Sequence, residues 1–283
     1  MNIQPRITIR VSKGSLAFAM ADSRTEAKVA FEPYTAKSGV SMAANLRDAF
    51  KTANLLQVPT HRALVLIDAP TLLIPIEEFQ EANAETLYTH CYPTTEGAVI
   101  MSNVLPEMNA VALFAVNKDL KMVVEDHYQE AKFSALMRPV WSYLHHRHFI
   151  GNRRKLFAHF HDGRMEVFSF ERNRFIFANS FDAKHTKDVV YFILFVWKQL
   201  ALDQQKDELY LSGSLGSQDE LLNALRLSMS INEGTDFDTM RHHVPGFGRR
   251  IRRRRAAPSG SDAESAAADF LKTVRANREK AGV

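Results

Sequence analysis

The sequence predicts a two-lobed α/β protein, and three observations predict it. The element order β-β-β-α-β, read from hydropathy, occurs over residues 7–68 and again over 155–212. Each copy opens with a hairpin and closes on a short apolar run suited to a buried strand. At 283 residues, 46% hydrophobic and 24% charged, the chain can fill one large or two medium cores and is too apolar to be disordered or fibrous.

In the first copy, Ile7 to Val11 and Ser15 to Asp22 alternate apolar with polar residues, and Ser12-Lys13-Gly14 separates them. Gly14 is placed to supply the positive φ of a tight hairpin. A third strand is expected over Lys28 to Tyr34. Ala43, Leu46, Phe50 and Ala53 recur at spacings of three and four, which predicts a helix from about Ser41 to Asn54. Arg62 to Ile67 is a continuous apolar run, expected to be buried on both faces.

The second copy repeats the scheme. Leu156 to His161 and Arg164 to Phe170 are joined by Asp162-Gly163, a dipeptide suited to a two-residue type I′ turn. Arg174 to Phe181 is the third strand. The helix expected from Thr186 to Leu202 contains VVYFILFVW, apolar nearly all round, and is expected to lie buried between layers. Glu208 to Ser212 reads as a buried strand.

Between the copies the pattern predicts helices near Glu77 to Tyr88 and Lys118 to Tyr128, with strands near Ala98 to Val104, Ala110 to Val116 and Phe133 to Arg138. After the second copy, Ser217 and Glu220 form a capping box before a short helix carrying Leu221, Leu222 and Leu225. A last strand is expected over Ser228 to Asn232, with the folded body ending near Asp238. The expected division is 1–150 for the first lobe, with an insertion near 70–150, then 151–240 for the second and 241–283 for a basic linker and short helix.

Charge is unevenly spread. From Arg241 onward eleven Lys or Arg face four acids, a balance of +7, so the chain's net +4 leaves −3 for residues 1–240. The body is therefore not a basic nucleic-acid surface by composition. The single cysteine, Cys91, excludes an internal disulfide framework and an all-cysteine zinc site, and fits a reducing compartment; the cytoplasm is the expected location. The opening residues contain no apolar signal core. The longest apolar run, Val189 to Trp197, falls well short of the roughly 20 residues that span a bilayer. No G-x-S-x-G, Walker A, H-E-x-x-H or C-x-x-C motif occurs.

Two hairpins and a glycine loop carry the remaining signal. The first hairpin reads Val11-Ser12-Lys13-Gly14-Ser15, the second His161-Asp162-Gly163-Arg164, and the loop Leu209-Tyr210-Leu211-Ser212-Gly213-Ser214. Together with the repeated element order, over roughly residues 5–235, they resemble the sugar-kinase, heat-shock-protein and actin superfamily. The phrase LIDAPTLLIPIEEF, residues 66–79, resembles an uncharacterised Bacteroidetes family, a domain of unknown function with an actin-like ATPase fold. The resemblance implies duplicated ribonuclease H-like β-β-β-α-β modules and ATP with Mg held between two lobes. The phosphates of that ligand are then gripped by D-x-G-[ST] turns, with a strand-glycine loop at the adenosine.

By that resemblance Gly14, Ser15, Asp162, Gly163, Gly213 and Ser214 are the cofactor-binding candidates, and Asp162 and Asp68 the catalytic ones. Ser12 stands where the family has its first acid. The second turn is compressed and replaces the small hydroxyl residue with Arg164, and the loop has lost its second glycine. Mg-nucleotide chemistry depends on carboxylates to place the metal, so these departures point away from catalysis. Asp68-Ala69-Pro70 also reads as a plain turn starter, Asp162-Gly163 as a plain hairpin turn, and Ser212 to Ser217 as a bare strand-to-helix connection.

His145, His146, His148, His159 and His161 cluster in sequence. No acid or cysteine at metal-ligand spacing accompanies them, so they read as a basic, partly exposed surface and no metal site is assigned. Residues 246–255, GFGRRIRRRR, hold Arg249, Arg250, Arg252, Arg253, Arg254 and Arg255, a run expected to stay extended and solvated. These six arginines are the candidates for binding nucleic acid, an acidic protein or an anionic surface. Beyond them, Ser261 and Glu264 form another capping box, and Ala267, Phe270, Leu271 and Val274 share one face of a short amphipathic helix that would dock on the body or enter a partner's groove. The expectation is an interaction protein that binds nucleotide weakly or not at all, with a protein partner. A Mg-dependent ATPase or phosphotransferase and a nucleic-acid adaptor working through the arginines are the alternatives.

Overall fold

The computed structural model describes residues 5–22, 29–93, 97–148, 153–214, 218–229 and 250–251. The chain divides into two compact units, Met1–Phe149 and Ile150–Val283.

The first unit begins with three antiparallel strands, β1 (Arg6–Ser12), β2 (Ser15–Ala21) and β3 (Val29–Thr35), followed by α1 (Met42–Thr52) and by β4 (Arg62–Ile67), which returns parallel to β1. Helix α1 starts where the Ser41 hydroxyl accepts the Ala44 N–H at 3.2 Å. Asn45, fully buried, pins the preceding loop, accepting from the Lys37 N–H at 2.7 Å and donating to the Val40 and Ser41 carbonyls at 3.1 Å each.

There follow β5 (Thr71–Pro75), α2 (Ala84–Cys91), β6 (Ala98–Leu105), β7 (Ala110–Asn117), α3 (Lys118–His127), β8 (Glu130–Ala135) and α4 (Arg138–His148). Strand β8 joins parallel to β4, giving the sheet order β3-β2-β1-β4-β8, while β5, β7 and β6 form a separate antiparallel sheet. One face of the larger sheet, through Ile7, Ile9, Phe18, Val65 and Phe133, packs on Leu46 and Ala49 of α1 and Leu120, Val123 and Val124 of α3.

Strand β7 serves two cores: Phe114 and Val116 point to that cluster, and Val111 and Leu113 to a smaller one around Tyr88 of α2. Asn103 of β6 ties β8 down by donating to the Phe133 carbonyl at 3.1 Å and accepting the Ala135 N–H at 2.9 Å. A side-chain amide thus does for the outer edge of β8 what another strand would do.

Several expectations change here. Strand β4 alternates, with Ala63, Val65 and Ile67 buried and Leu64 and Leu66 only half-buried, whereas β7 is the strand buried on both faces. The helix expected from Glu77 is two 3-10 turns, Ile76–Glu78 and Glu81–Asn83, ahead of α2, because Phe79 and Gln80 take extended backbone between them. Strand β5 and helix α4 are additions to the expected elements. Strand β8 ends at Ala135, and Pro139 sits in the first turn of α4, where its missing N–H costs nothing.

The second unit is β9 (Lys155–His161), β10 (Arg164–Glu171), β11 (Arg174–Asp182), α5 (Thr186–Gln199), β12 (Glu208–Gly213), α6 (Gln218–Met229) and β13 (Arg250–Ile251). Its sheet order is β11-β10-β9-β12-β13, with β12 parallel to β9 and β13 antiparallel to β12. Leu156, Ala158, Phe160, Met165, Val167, Leu209 and Leu211 turn one sheet face to Val189, Val190, Ile193, Val196 and Trp197 of α5 and Leu221, Leu222 and Leu225 of α6. The opposite face carries the rings of Phe157, Phe168 and Tyr210, with Phe157 stacked on Phe168 at 5.3 Å and on Tyr210 at 5.2 Å.

Two further corrections belong to this unit. Helix α5 is not covered all round: Phe195 is 46% exposed and Tyr191 and Leu194 are half-buried, because only one stripe of the helix meets the sheet. The strand expected at Ser228 to Asn232 is helical at Ser228 and Met229, the end of α6, and its remaining residues, like Ser217 and Asp238, lie outside the described residues.

Candidate functional site

In parallel α/β sheets ligands gather at the carboxyl ends of the strands, and the candidates of both units fall on that edge. In the first unit β1 and β4 end side by side: Val11 pairs with Ile67, and the Asp68 N–H donates to the Val11 carbonyl at 2.9 Å. Ser12 and Asp68 therefore come to one place on the sheet edge. Ser12 is 5% exposed, and its hydroxyl has no hydrogen-bond partner among the described residues; Asp68 is half-buried. Lys13 and Gly14 make the two-residue link from Ser12 to Ser15, and the Gly14 carbonyl accepts the Ala36 N–H at 3.2 Å. Gly14 does not take the left-handed conformation expected of it, and a Cβ there would meet nothing within 4 Å.

In the second unit the Asp162-Gly163 link has φ of 44° and 74°, both left-handed, as a type I′ turn requires. The Gly163 carbonyl accepts the Ala183 N–H at 2.8 Å, joining the turn to the end of β11. The neighbouring strand β12 ends against the same turn. Gly213 has φ of +89°, and a Cβ there would stand 2.0 Å from the Phe160 carbonyl oxygen, while the Ser214 N–H donates to that oxygen at 3.0 Å. Asp162-Gly163 and Gly213-Ser214 are thus brought together across β9, with the glycine required by backbone contact.

Behind this edge lies a row of polar groups that sequence reading did not assemble. His159 Nδ1 and the Ser212 hydroxyl are 2.9 Å apart, and both residues are buried. His161, 8% exposed, has Nε2 at 3.4 Å from Glu166 Oε1 and Nδ1 at 3.8 Å from Asp162 Oδ2. The guanidinium of Arg164 donates to the Ser180 hydroxyl at 2.6 Å and lies 3.6 Å from Glu166.

His145, His159 and His161 are therefore buried rather than partly exposed surface, and acids do stand beside His161; His146 is exposed as expected. The period of two on β9 places His159 and His161 on one face. Only the registers with β10 and β12 bring Glu166 and Ser212 to them.

Of the arginine run, Arg249, Arg252, Arg253, Arg254 and Arg255 lie outside the described residues, so the expected binding surface is represented by Arg250 alone. Arg250 and Ile251 form β13, with Ile251 opposite Leu209 and Arg250 opposite Tyr210. This corrects the expectation of a wholly solvated run. At these two residues the backbone instead pairs with β12, because the edge of that strand offers unpaired N–H and C=O groups. No helix among the described residues is long and apolar enough to cross a membrane.

Two five-stranded sheets, each with three strands in hairpin succession, a crossover helix and a parallel return, define the actin-like ATPase fold. A Bacteroides thetaiotaomicron protein of that fold and of unknown function is 29% identical, with a TM-score of 0.70 over 79% of this chain and 87% of its own. The chain belongs to the family described as "Protein of unknown function (DUF3822)", whose model matches residues 3–227. It is also similar to the ethanolamine utilization protein EutJ from Carboxydothermus hydrogenoformans, at 11% identity and a TM-score of 0.41 over 80% of this chain and 82% of that one. The PilM-PilN type IV pilus biogenesis complex matches at 11% identity and a TM-score of 0.39, over 70% and 66%. No curated protein matches.

Proposed function

We propose that this chain is an interaction protein on an actin-like fold, binding nucleotide weakly or not at all and doing no phosphoryl transfer, and that it works in the bacterial cytoplasm. The observation that carries the reading is position 12. The strand end where the resemblance puts the first acid holds a serine, 5% exposed and with no hydrogen-bond partner for its hydroxyl among the described residues. A magnesium ion takes carboxylate and phosphate oxygens in octahedral array, and one buried neutral hydroxyl is a poor substitute. Asp68 still offers a half-buried carboxylate beside it, so the serine weakens a metal site at that strand end but leaves one acid there.

The second unit supports the same reading. Its turn has two residues, and Arg164 is engaged with Glu166 on its own strand and Ser180 on the neighbouring β11, where a phosphate turn would present a small hydroxyl. Gly213 is accounted for by its contact with the Phe160 backbone, without a nucleotide.

Thermal unfolding of the full chain with ATP or ADP, each with and without Mg, tests this, with tripolyphosphate as the control for phosphate held by the arginines. A ligand at about 100 times its Kd adds roughly 2.7 kcal/mol, a shift of several degrees. No Mg-dependent shift beyond the tripolyphosphate control is expected. A Mg-dependent ATPase activity abolished by Asp162→Ala would overturn the proposal.

A further inference from the structure

Among the described residues of the second unit, the outer stripe of α5 carries the most exposed large apolar side chain, Phe195. Lys187, Tyr191, Leu194, Phe195 and Lys198 follow one another at steps of four, three, one and three, so they share one side of the helix, turned away from the stripe that meets the sheet, with Leu194 also packing against the core. Phe195 is 46% exposed, and its ring lies nearly parallel to that of Tyr191 with centroids 6.1 Å apart. Lysines stand at both ends of the stripe and are exposed.

We propose that this stripe is the docking site of the chain's own C-terminal segment, residues 261–275. That segment lies outside the described residues, and three observations connect it to α5. First, its sequence repeats the spacing: Ala263, Ala267, Phe270, Leu271 and Val274 also step by four, three, one and three, after the Ser261 and Glu264 capping box. A helix of this length is marginal in water and gains its order by burying such a face.

Second, the chain is already tied to the same unit just upstream, where Arg250–Ile251 pair with β12. Leu209 and Leu211 of β12 share a core with the inner stripe of α5, so the outer stripe lies one helix diameter, about 10–12 Å, further out. Residues 252–260 reach about 30 Å when extended, enough to cover the distance. Third, the acidic start of the segment suits a lysine: Asp262 and Glu264 would meet Lys187 or Lys198 according to orientation, with Lys272 and Arg275 at the segment's other end. Docking would convert an exposed aromatic patch and a marginal helix into one buried contact, leaving the arginines as a short connector.

Disulfide trapping tests this in the full chain. With Cys91, the single native cysteine, changed to Ser, Phe195→Cys is combined with Leu271→Cys and the protein is oxidised at low concentration. The expected product is a monomer with an internal 195–271 disulfide. In the otherwise native chain, F270D with L271D should speed amide exchange over residues 187–198 about tenfold while leaving β9 and β12 unchanged. Should Phe195→Cys loosen α5, Lys198→Cys paired with Leu271→Cys gives the same reading. Disulfide-linked dimers would place a second copy on α5 and overturn the proposal. So would absence of the internal disulfide, whatever the exchange shows.

Discussion

Replacing Gly213 with alanine puts a methyl group where the backbone of β9 already lies. The new Cβ would stand 2.0 Å from the Phe160 oxygen, 2.8 Å from its nitrogen and 2.9 Å from its carbonyl carbon. None of these atoms can swing aside as a side-chain end would. The φ of +89° adds a penalty for any residue with a Cβ, about 1–2 kcal/mol. Separating β12 from β9 enough to clear the contact also strains the Ser214 N–H bond to Phe160, worth about 1 kcal/mol. Together the loss is about 3 kcal/mol, or a fall in Tm of roughly 10 °C for the second unit.

The chain has two tryptophans, Trp141 in α4 and Trp197 in the core of the second unit, so a Trp141→Phe background lets Trp197 report that unit alone through fluorescence during urea unfolding. Gly14→Ala is the matched control. Its Cβ meets nothing within 4 Å and its backbone is not left-handed, so its effect should stay within about 0.5 kcal/mol. Equal midpoints for Gly213→Ala and Gly14→Ala would refute the close approach of β12 to β9.

Asn103→Ala removes the amide that serves Phe133 and Ala135 and leaves two backbone groups at the edge of β8 unbonded; a loss of about 2–4 kcal/mol in urea unfolding is expected. Tyr128 is buried with no partner for its hydroxyl among the described residues, and burial pushes its pKa up to about 12. Tyr128→Phe should therefore leave stability unchanged or raise it by up to about 1 kcal/mol, read in the same unfolding assay.

Glu107 provides a pH test. Burial works against its charged form, but hydrogen bonds from the Ser142 hydroxyl at 2.7 Å and from its own backbone, with the charges of Arg138 and His145, hold its pKa below the ordinary 4.5. Because the folded value is the lower one, its contribution is complete above about pH 4.5 and fades as pH falls through the depressed value. Ser142→Ala should therefore move the acid-unfolding midpoint of the first unit upward. An unchanged midpoint would show that this hydrogen bond does not hold the carboxylate.

Local sequence was enough for the elements whose cause is local. The Asp162-Gly163 turn could be read because both residues tolerate positive φ, and α1 because Ser41 caps a three-and-four repeat. The two β-β-β-α-β successions were visible because strand and helix periods are properties of neighbouring residues. Where the cause was a distant partner, the residues were silent. Strand β5 exists because β7 runs beside it, and α4 begins where β8 stops, at a Pro that a strand cannot use and a first helical turn can.

Of the candidate site, the residues were legible and their circumstances were not. Ser12 in the acid's position was plain from the sequence, but its burial, and a hydroxyl without a hydrogen-bond partner among the described residues, depend on how β1 and β4 end together. Gly213 read both as part of a ligand loop and as a bare strand-to-helix connection, and the Phe160 backbone against it was not legible in either reading. His159 and His161 looked like surface because charge and polarity are all that composition reports; pairing with Ser212 and Glu166 is set by strand register, which brings Ser212, some fifty positions from His159, to hydrogen-bond distance. The sequence by itself determined the period, the turns and the distribution of charge. Only the tertiary structure decided which polar groups are buried, which glycine is indispensable and where the arginine arm is tied, because burial and register are set by contacts between segments far apart in the chain.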